Sequence, residues 1–120
     1  MNRSFLFVPA DSDRKLARAG SAGADALILD LEDSVTAEAR PAARANAADY
    51  AKDKDDVWVR INPLDSDDAT QDLETGMPSA PSGIVLPTPR SAADVIALSR
   101  RLDVLEQASG IEQGRTRMIA

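Results

Sequence analysis

The sequence predicts an α/β fold built on a parallel β-sheet. Five short apolar runs alternate with segments of helical pattern, and the unit recurs about every 25 to 30 residues, close to the length of a βαβ unit. One run ends abruptly in the acidic sequence 30–33 (DLED), and α/β proteins keep their chemistry at the C-terminal ends of strands. Such alternation requires parallel strands joined by right-handed crossovers, as in an open doubly wound sheet or a TIM barrel.

The first strand and helix are predicted from the opening residues. Residues 4–8 form an apolar run with two aromatic side chains, and Pro9 closes it. Asp11 or Ser12 can cap a helix that extends through Gly23, because either side chain can accept the unpaired N–H groups of the first turn. This helix is predicted to pack on the sheet with its small and apolar residues.

The second and third strands flank an alanine-rich helix. The second strand is predicted over residues 26–31, and its residues before Asp30 are continuously apolar, as expected for a strand buried on both faces. Residues 36–53 have high helix propensity, and the regular helix is predicted to begin near Pro41, where the missing N–H costs nothing. The third strand is predicted over residues 57–61 and ends before Asn62.

The remaining elements complete the alternation. A short helical piece is predicted over residues 70–75 and a fourth strand over residues 83–87. Ser91 is predicted to cap a long helix that runs to about residue 109 and closes at Gly110. Residues 117–120 are predicted to begin a fifth strand.

Composition excludes several functional classes within this chain. With 120 residues, the chain is expected to be one domain or part of one. A net charge of -6 is unlike the basic face of a nucleic-acid-binding domain. The sequence contains no Cys and no His, which excludes disulfides, Cys/His zinc sites and Ser-His-Asp triads. Without an apolar leader or an 18-residue apolar run, we expect a cytoplasmic protein with no membrane partner.

The sharpest candidate for chemistry is Arg60, which replaces an apolar residue in the third strand. A guanidinium there needs a fixed anionic partner. One interpretation is a structural ion pair with Glu32 or Asp33 from the adjacent strand, and another is a ligand carboxylate. Both can hold, because a protein carboxylate can aim the arginine at a substrate.

The acidic cluster Asp30, Glu32 and Asp33 also has two interpretations. It can form a cation site or orient Arg60, or it can cap the next segment and carry solvated charge. Strand alternation places Asp30 and Glu32 on one face and Asp33 on the other.

Two further charged clusters carry weaker signals. The basic residues Arg14, Lys15 and Arg18 are predicted to form either a solvated helix face or a counter-charge for ligand phosphates. The acidic residues Asp65, Asp67 and Asp68 lack the later glycine and glutamate of a calcium loop, so that interpretation is set aside. No glycine-rich fingerprint follows the first strand, which disfavours a dinucleotide-binding sheet.

Four motifs on successive strands resemble the citrate lyase beta subunit family, which is grouped with the malyl-CoA lyases and the HpcH/HpaI aldolases. They are RSFLFVPAD (3–11), GADALILDLEDSV (23–35), VRIN (59–62) and GIVLP (83–87). The resemblance implies a TIM barrel, a fold of eight βα units and about 250 residues. Residues 1–120 would be a single partial domain, with the first four βα units and the start of strand five.

The resemblance also implies a reaction and its cofactor. The family uses Mg²⁺ to cleave or form a carbon-carbon bond between a CoA- or acyl-carrier-linked thioester and a 2-oxo acid or related carbonyl compound. Substrates of the citryl, malyl or citramalyl type are implied. The metal polarises a carbonyl and stabilises the developing negative charge.

Site residues follow from the same resemblance. Arg60 matches the arginine that grips substrate oxygens, and Phe7 and Arg18 fall where relatives contact CoA, with Arg18 in place of a lysine. Glu32 and Asp33 match an acidic pair that supports the arginine and the metal-bound water. With Arg60, these two acids are the expected catalytic residues.

The sequence departs from the family pattern in two places. Thr88 stands where relatives have a lysine, and Arg90 follows close by. The two direct magnesium ligands, a glutamate after strand five and an aspartate after strand six, are expected beyond Ala120.

We therefore expect residues 1–120 alone to be inactive and the intact protein to form trimers or hexamers. The alternatives are a non-catalytic half-barrel that binds CoA or a carboxylate, and a related barrel that uses phosphoenolpyruvate.

Overall fold

Five parallel strands form one sheet in which spatial order equals chain order. The structure, a computed structural model, describes residues 4–20, 23–52, 54–87 and 91–119. The strands are β1 (Phe5–Pro9), β2 (Ala26–Asp30), β3 (Val57–Arg60), β4 (Gly83–Val85) and β5 (Arg117–Ile119).

Four α-helices connect the strands within the described ranges. They are α1 (Asp13–Ala19), α2 (Arg40–Ala51), α3 (Asp67–Gly76) and α4 (Ala92–Ala108), with short 3₁₀ turns at Ala37–Ala39 and Met77–Ser79. None of the helices in the described part of the chain combines the length and apolar character that a membrane span requires.

The helices pack on one face of the sheet. The main core cluster joins helix residues such as Leu16, Leu73 and Leu98 to strand residues such as Leu29 and Val59. The opposite face has its own small cluster, whose described members come from strands alone: Ala26, Ile28, Trp58, Val85 and the partly buried Ile119. A doubly wound sheet carries helices on both faces. Sequential parallel strands with helices on one face are instead the arrangement of a TIM barrel, so the predicted partial barrel is confirmed.

The face opposite the helices, which would line the barrel, is packed around Trp58. The ring of Phe5 meets that of Trp58 edge-on, with centroids 6.0 Å apart. Gly83 lies directly under the indole, and a Cβ at this position would come within 2.1 Å of Trp58 Cζ3. Glycine is therefore required here for close approach of the β4 backbone to the ring.

Helix boundaries differ from the predictions where local capping decides them. Ser12 caps α1 as predicted and accepts a hydrogen bond from Lys15 N at 3.2 Å. The helix ends at Ala19 and does not reach Gly23, which has a φ of +80° outside the helical region. Helix α3 is longer than the predicted 70–75, because Ser66 caps it and starts it at Asp67.

Three strands end earlier than predicted, whereas β1 includes Pro9, one residue past its predicted end. Strands β2, β3 and β4 stop before Leu31, Ile61 and Leu86, which are still buried on the helix side. Leu31, Ile61 and Leu86 each still donate one backbone hydrogen bond to the neighbouring strand, so the apolar runs continue one residue past the strand ends and did not mark them. Ser91 occupies the predicted cap position of α4 without a side-chain cap bond.

Three predictions fall on residues outside the described ranges. They concern Thr88, Arg90 and the last residue of strand five, Ala120.

A candidate active site at the C-terminal ends of the strands

The candidate site is built on an ion pair between β2 and β3. Asp30 and Arg60 are the last residues of their strands and are register partners in the ladder. Arg60 Nε donates to Asp30 Oδ1 at 2.9 Å, and Nη2 donates to Oδ2 at 2.8 Å. The Asp30 side chain is 2% exposed and that of Arg60 is 22% exposed. This two-point contact fixes the plane of the guanidinium as well as its position.

The chain after β2 wraps around the Asp30 carboxylate. The backbone N–H of Glu32 donates to Oδ1 at 2.9 Å, and Ser34 donates to Oδ2 through its N–H at 2.9 Å and its hydroxyl at 2.6 Å. Burial by itself would raise the pKa of Asp30, but the hydrogen bonds from Arg60, Ser34 and Glu32 outweigh it. The pKa of Asp30 therefore lies well below its usual range, and the carboxylate stays ionised.

The Arg60 guanidinium is held from a second side by an aromatic ring. Its Cζ lies 4.6 Å from the centroid of the Phe7 ring, a distance at which the ring quadrupole attracts a cation. The hydrogen bond to Asp30 raises the pKa of Arg60 against the effect of burial, with further help from the charges of Glu32 and Asp33. No hydrogen bond within the described residues occupies Nη1, and Phe7 is 50% exposed. The group can therefore meet an anionic ligand.

The predicted ion pair of Arg60 with Glu32 is confirmed as a long contact. The principal partner is Asp30, a member of the acidic cluster that we expected to orient Arg60. Glu32 lies at the edge of the pair, with Oε1 3.9 Å from Arg60 Nε, and Asp33 is exposed on the loop. The strand ends at Asp30, so the alternation that grouped Asp30 with Glu32 does not continue past it.

The other predicted site residues divide into two groups. Phe7 lies with Arg60, Asp30 and Glu32 at the same end of the sheet. Arg18 lies in the last turn of α1, exposed in the helix layer.

The described residues contain two carboxylates suited to a metal's water shell. Mg²⁺ usually keeps several waters and takes one or two protein carboxylates. Both oxygens of Asp30 are occupied by protein donors, whereas Glu32 and Asp33 are more accessible. No group of three or more His, Cys, Asp or Glu positioned for a metal occurs in the described part of the chain. The chemistry of Glu32 and Asp33 suits contact with the water shell of a magnesium ion. The described residues do not supply a full set of metal ligands.

Sequence reasoning missed a buried polar network behind the site. Asp72 of α3 accepts from Arg44 Nε at 2.7 Å and from the backbone and side-chain nitrogens of Asn62, each at 2.8 Å. The available signal was a charge on the apolar stripe of each helix, Arg44 next to Ala43 and Asp72 next to Leu73. Such a charge needs a buried partner.

Comparison with known proteins agrees with this architecture. Residues 3–120 match the family described as HpcH/HpaI aldolase/citrate lyase. A citrate lyase subunit beta-like protein of Mycobacterium tuberculosis is 41% identical over 108 residues, which cover 88% of this chain and 39% of that protein. Human mitochondrial citramalyl-CoA lyase is 32% identical over 99 residues, covering 78% of this chain and 29% of that protein.

A solved structure extends the comparison to the fold. The M. tuberculosis protein CitE in complex with magnesium, acetoacetate and coenzyme A superposes with a TM-score of 0.73 at 33% identity, covering 98% of this chain and 49% of that one. The chain thus spans less than half the length of each of these relatives. The match over nearly all of its own residues shows that the chain belongs to the HpcH/HpaI aldolase/citrate lyase family.

Proposed function

We propose that residues 1–120 form the N-terminal part of a magnesium-dependent carbon-carbon lyase. Its substrate would be a CoA- or acyl-carrier-linked hydroxyacid thioester of the citryl, malyl or citramalyl type. Retro-aldol or Claisen cleavage would give an acyl thioester and a 2-oxo acid or related carbonyl compound. The observation that carries the proposal is the Asp30–Arg60 pair at the C-terminal ends of β2 and β3, because TIM barrels keep their active sites at that end.

Arg60 is the proposed substrate-gripping and catalytic residue. Its guanidinium is oriented by Asp30 through Nε and Nη2, which leaves an edge available to a carboxylate or carbonyl oxygen. Orientation in advance of binding reduces the reorganisation needed when negative charge develops on the substrate. The solved relative contains both acetoacetate and coenzyme A, a ligand pair consistent with a carbonyl compound and a thioester.

Phe7 and Arg18 are the proposed contacts to the CoA portion. Phe7 offers a half-exposed ring beside Arg60, and Arg18 offers an exposed charge on α1 for a phosphate. Their roles rest on the family resemblance and on this exposure.

Glu32 and Asp33 are proposed to hold and orient the water of a magnesium ion. The direct ligands, a glutamate after strand five and an aspartate after strand six, would lie beyond Ala120. When bound, the ion would polarise a carbonyl and stabilise the negative charge that develops on its oxygen. The two acids of this chain would orient that water and keep Arg60 charged.

Residues 1–120 alone are proposed to be a single partial domain without lyase activity. The described residues lack a cluster able to form a metal site, which favours binding of CoA or a carboxylate without turnover for this segment by itself. The intact protein is proposed to be a cytoplasmic trimer or hexamer.

The test is an assay of the intact protein that carries these residues. It is given citryl-, malyl- and citramalyl-CoA with and without EDTA, and both the acyl thioester and the carbonyl product are quantified. We expect magnesium-dependent release of both products, and none from residues 1–120 alone. Release of free CoA without a carbonyl product would mean thioester hydrolysis and would contradict the lyase proposal. Turnover by residues 1–120 would contradict the proposed inactivity of the segment.

A further inference from the structure

Where the hydrogen-bond ladder between β2 and β3 ends, a side-chain hydrogen bond takes the place of a backbone one. The N–H of Leu31 donates to the carbonyl of Arg60 at 3.0 Å. In a regular parallel ladder the next bond would run from the backbone N–H of Asn62 to the carbonyl of Leu31. Instead, the side-chain Nδ2 of Asn62 donates to that carbonyl at 3.0 Å. Asn62 thereby keeps the two chains tied where β3 leaves the sheet.

The carbonyl that Asn62 holds belongs to the peptide group that binds Asp30. The C=O of Leu31 and the N–H of Glu32 lie in one planar unit. Its oxygen accepts from Asn62 Nδ2, and its N–H donates to Asp30 Oδ1 at 2.9 Å. Rotation of this plane would break both bonds, so a constraint on the oxygen is also a constraint on the N–H.

Asn62 is itself fixed by buried charge. Its backbone N–H and Nδ2 both donate to Asp72 Oδ2 at 2.8 Å, and Arg44 Nε donates to the other oxygen at 2.7 Å. Asn62 and Asp72 are 1% and 2% exposed. Both Nδ2 hydrogens of Asn62 are used, one by the carbonyl of Leu31 and one by Asp72 Oδ2, whereas its Oδ1 has no partner among the described residues. A flipped amide would place Oδ1 against these two acceptors, so the Asn62 amide has one orientation.

We propose that Asn62 is a positioning residue for the Asp30–Arg60 pair and acts through the Leu31–Glu32 peptide group. Asp72, which forms an ion pair with Arg44, holds Asn62 in place. The chain of contacts runs from the helix layer through the end of β3 to the loop after β2, and it reaches Asp30 without touching the substrate side of Arg60. Any consequence for catalysis rests on the proposed lyase function, whereas the positioning itself does not.

The test is hydrogen exchange by NMR on the chain with and without Asn62→Ala. The reporters are the backbone amide of Glu32 and the Nε–H of Arg60, which donate to the same Asp30 oxygen. We expect both to exchange at least about tenfold faster in the variant than its change in global stability explains, the effect of losing about one buried hydrogen bond. Unchanged reporters, or acceleration equal to that of the core amides, would overturn the proposal.

The matched control is Asn46→Ala. Asn46 Nδ2 also donates to a backbone carbonyl, that of Ala10, at 3.1 Å, but not to the Leu31–Glu32 peptide. This variant should leave both reporters unchanged relative to the core. If the Asn62→Ala chain is unfolded, the Asn62→Ser chain is measured instead, with the same supporting and overturning results.

The exchange measurement uses neither substrate nor metal. Unaffected reporters would therefore overturn the positioning role and leave the lyase proposal standing. Faster exchange of the reporters in a protein without lyase activity would overturn the lyase proposal and leave the positioning role standing.

Discussion

Asp30 and Arg60 face each other across the β2–β3 ladder and are joined by two hydrogen bonds of 2.9 and 2.8 Å. Both residues end their strands, so the pair lies at the C-terminal ends of the strands, where the loops begin. Its carboxylate is buried and its guanidinium is partly open to solvent. Asp30 thus balances the charge of Arg60 from one side, and the other side of the guanidinium is accessible to a ligand.

The first prediction concerns the pH dependence of stability. The pKa of Asp30 is lowered in the folded state, so its ionised form stabilises the fold above the unfolded pKa of about 3.9. That contribution is lost as the pH falls from there toward the lower folded pKa. We expect Asp30→Asn to lower the free energy of unfolding by about 3 kcal/mol at pH 7, with a difference that narrows below about pH 4.

Denaturant unfolding of both chains at a series of pH values measures this difference. Asp33→Asn, on the exposed part of the same loop, is the control and should change the free energy of unfolding by at most about 0.5 kcal/mol. A difference for Asp30→Asn that stays constant from pH 7 to pH 3 would show that the carboxylate charge does not stabilise the fold.

The second prediction concerns the contact between Gly83 and Trp58. A methyl group at residue 83 would overlap the indole, with 2.1 Å to Cζ3. Gly83→Ala should therefore lower the free energy of unfolding by about 1–3 kcal/mol, the usual cost of overpacking. Combination with Trp58→Leu should recover part of the loss, because residues in contact are not additive.

Gly76→Ala is the matched control for this prediction. Its Cβ would meet nothing within 4 Å, and its φ of -82° suits any residue. Thermal unfolding should show no loss for Gly76→Ala and a clear loss for Gly83→Ala. Equal midpoints for the two variants would mean that the indole does not pack on β4.

The strands were predictable because each is a short apolar run between turn signals. The side-chain period also places Trp58 and Arg60 on one face. Strand register was not predictable from composition, and register is what pairs Arg60 with Asp30. The contacts between Asn62 and Asp72 were also missed. They join residues 10 positions apart, one just after β3 and the other on α3, and so depend on how that helix packs.

The third prediction concerns Glu106, a buried carboxylate that holds the loop before β5. It is 1% exposed and accepts the backbone N–H groups of Gly114 at 2.9 Å and Thr116 at 2.8 Å. Glu106→Gln presents an amide donor to one of these N–H groups and should cost about 1–3 kcal/mol. Hydrogen exchange of the β5 amides should accelerate more than that of β2.

Glu112→Gln, at an exposed position on the same loop, is the control for this third prediction. It should leave stability and exchange unchanged. Equal protection of β5 in the Glu106→Gln chain and in the unmodified chain would contradict a loop-holding role.

The central claim is that Arg60, oriented by Asp30, grips the substrate. It is tested most directly by kcat/KM for thioester cleavage in the intact protein, comparing the unmodified enzyme with Arg60→Lys. Lysine keeps the charge but cannot make the two-point contact, so we expect a loss of about 10²-fold or more. Arg100→Lys on the exposed surface of α4 should leave kcat/KM unchanged. Full activity of the folded Arg60→Lys enzyme would contradict the account.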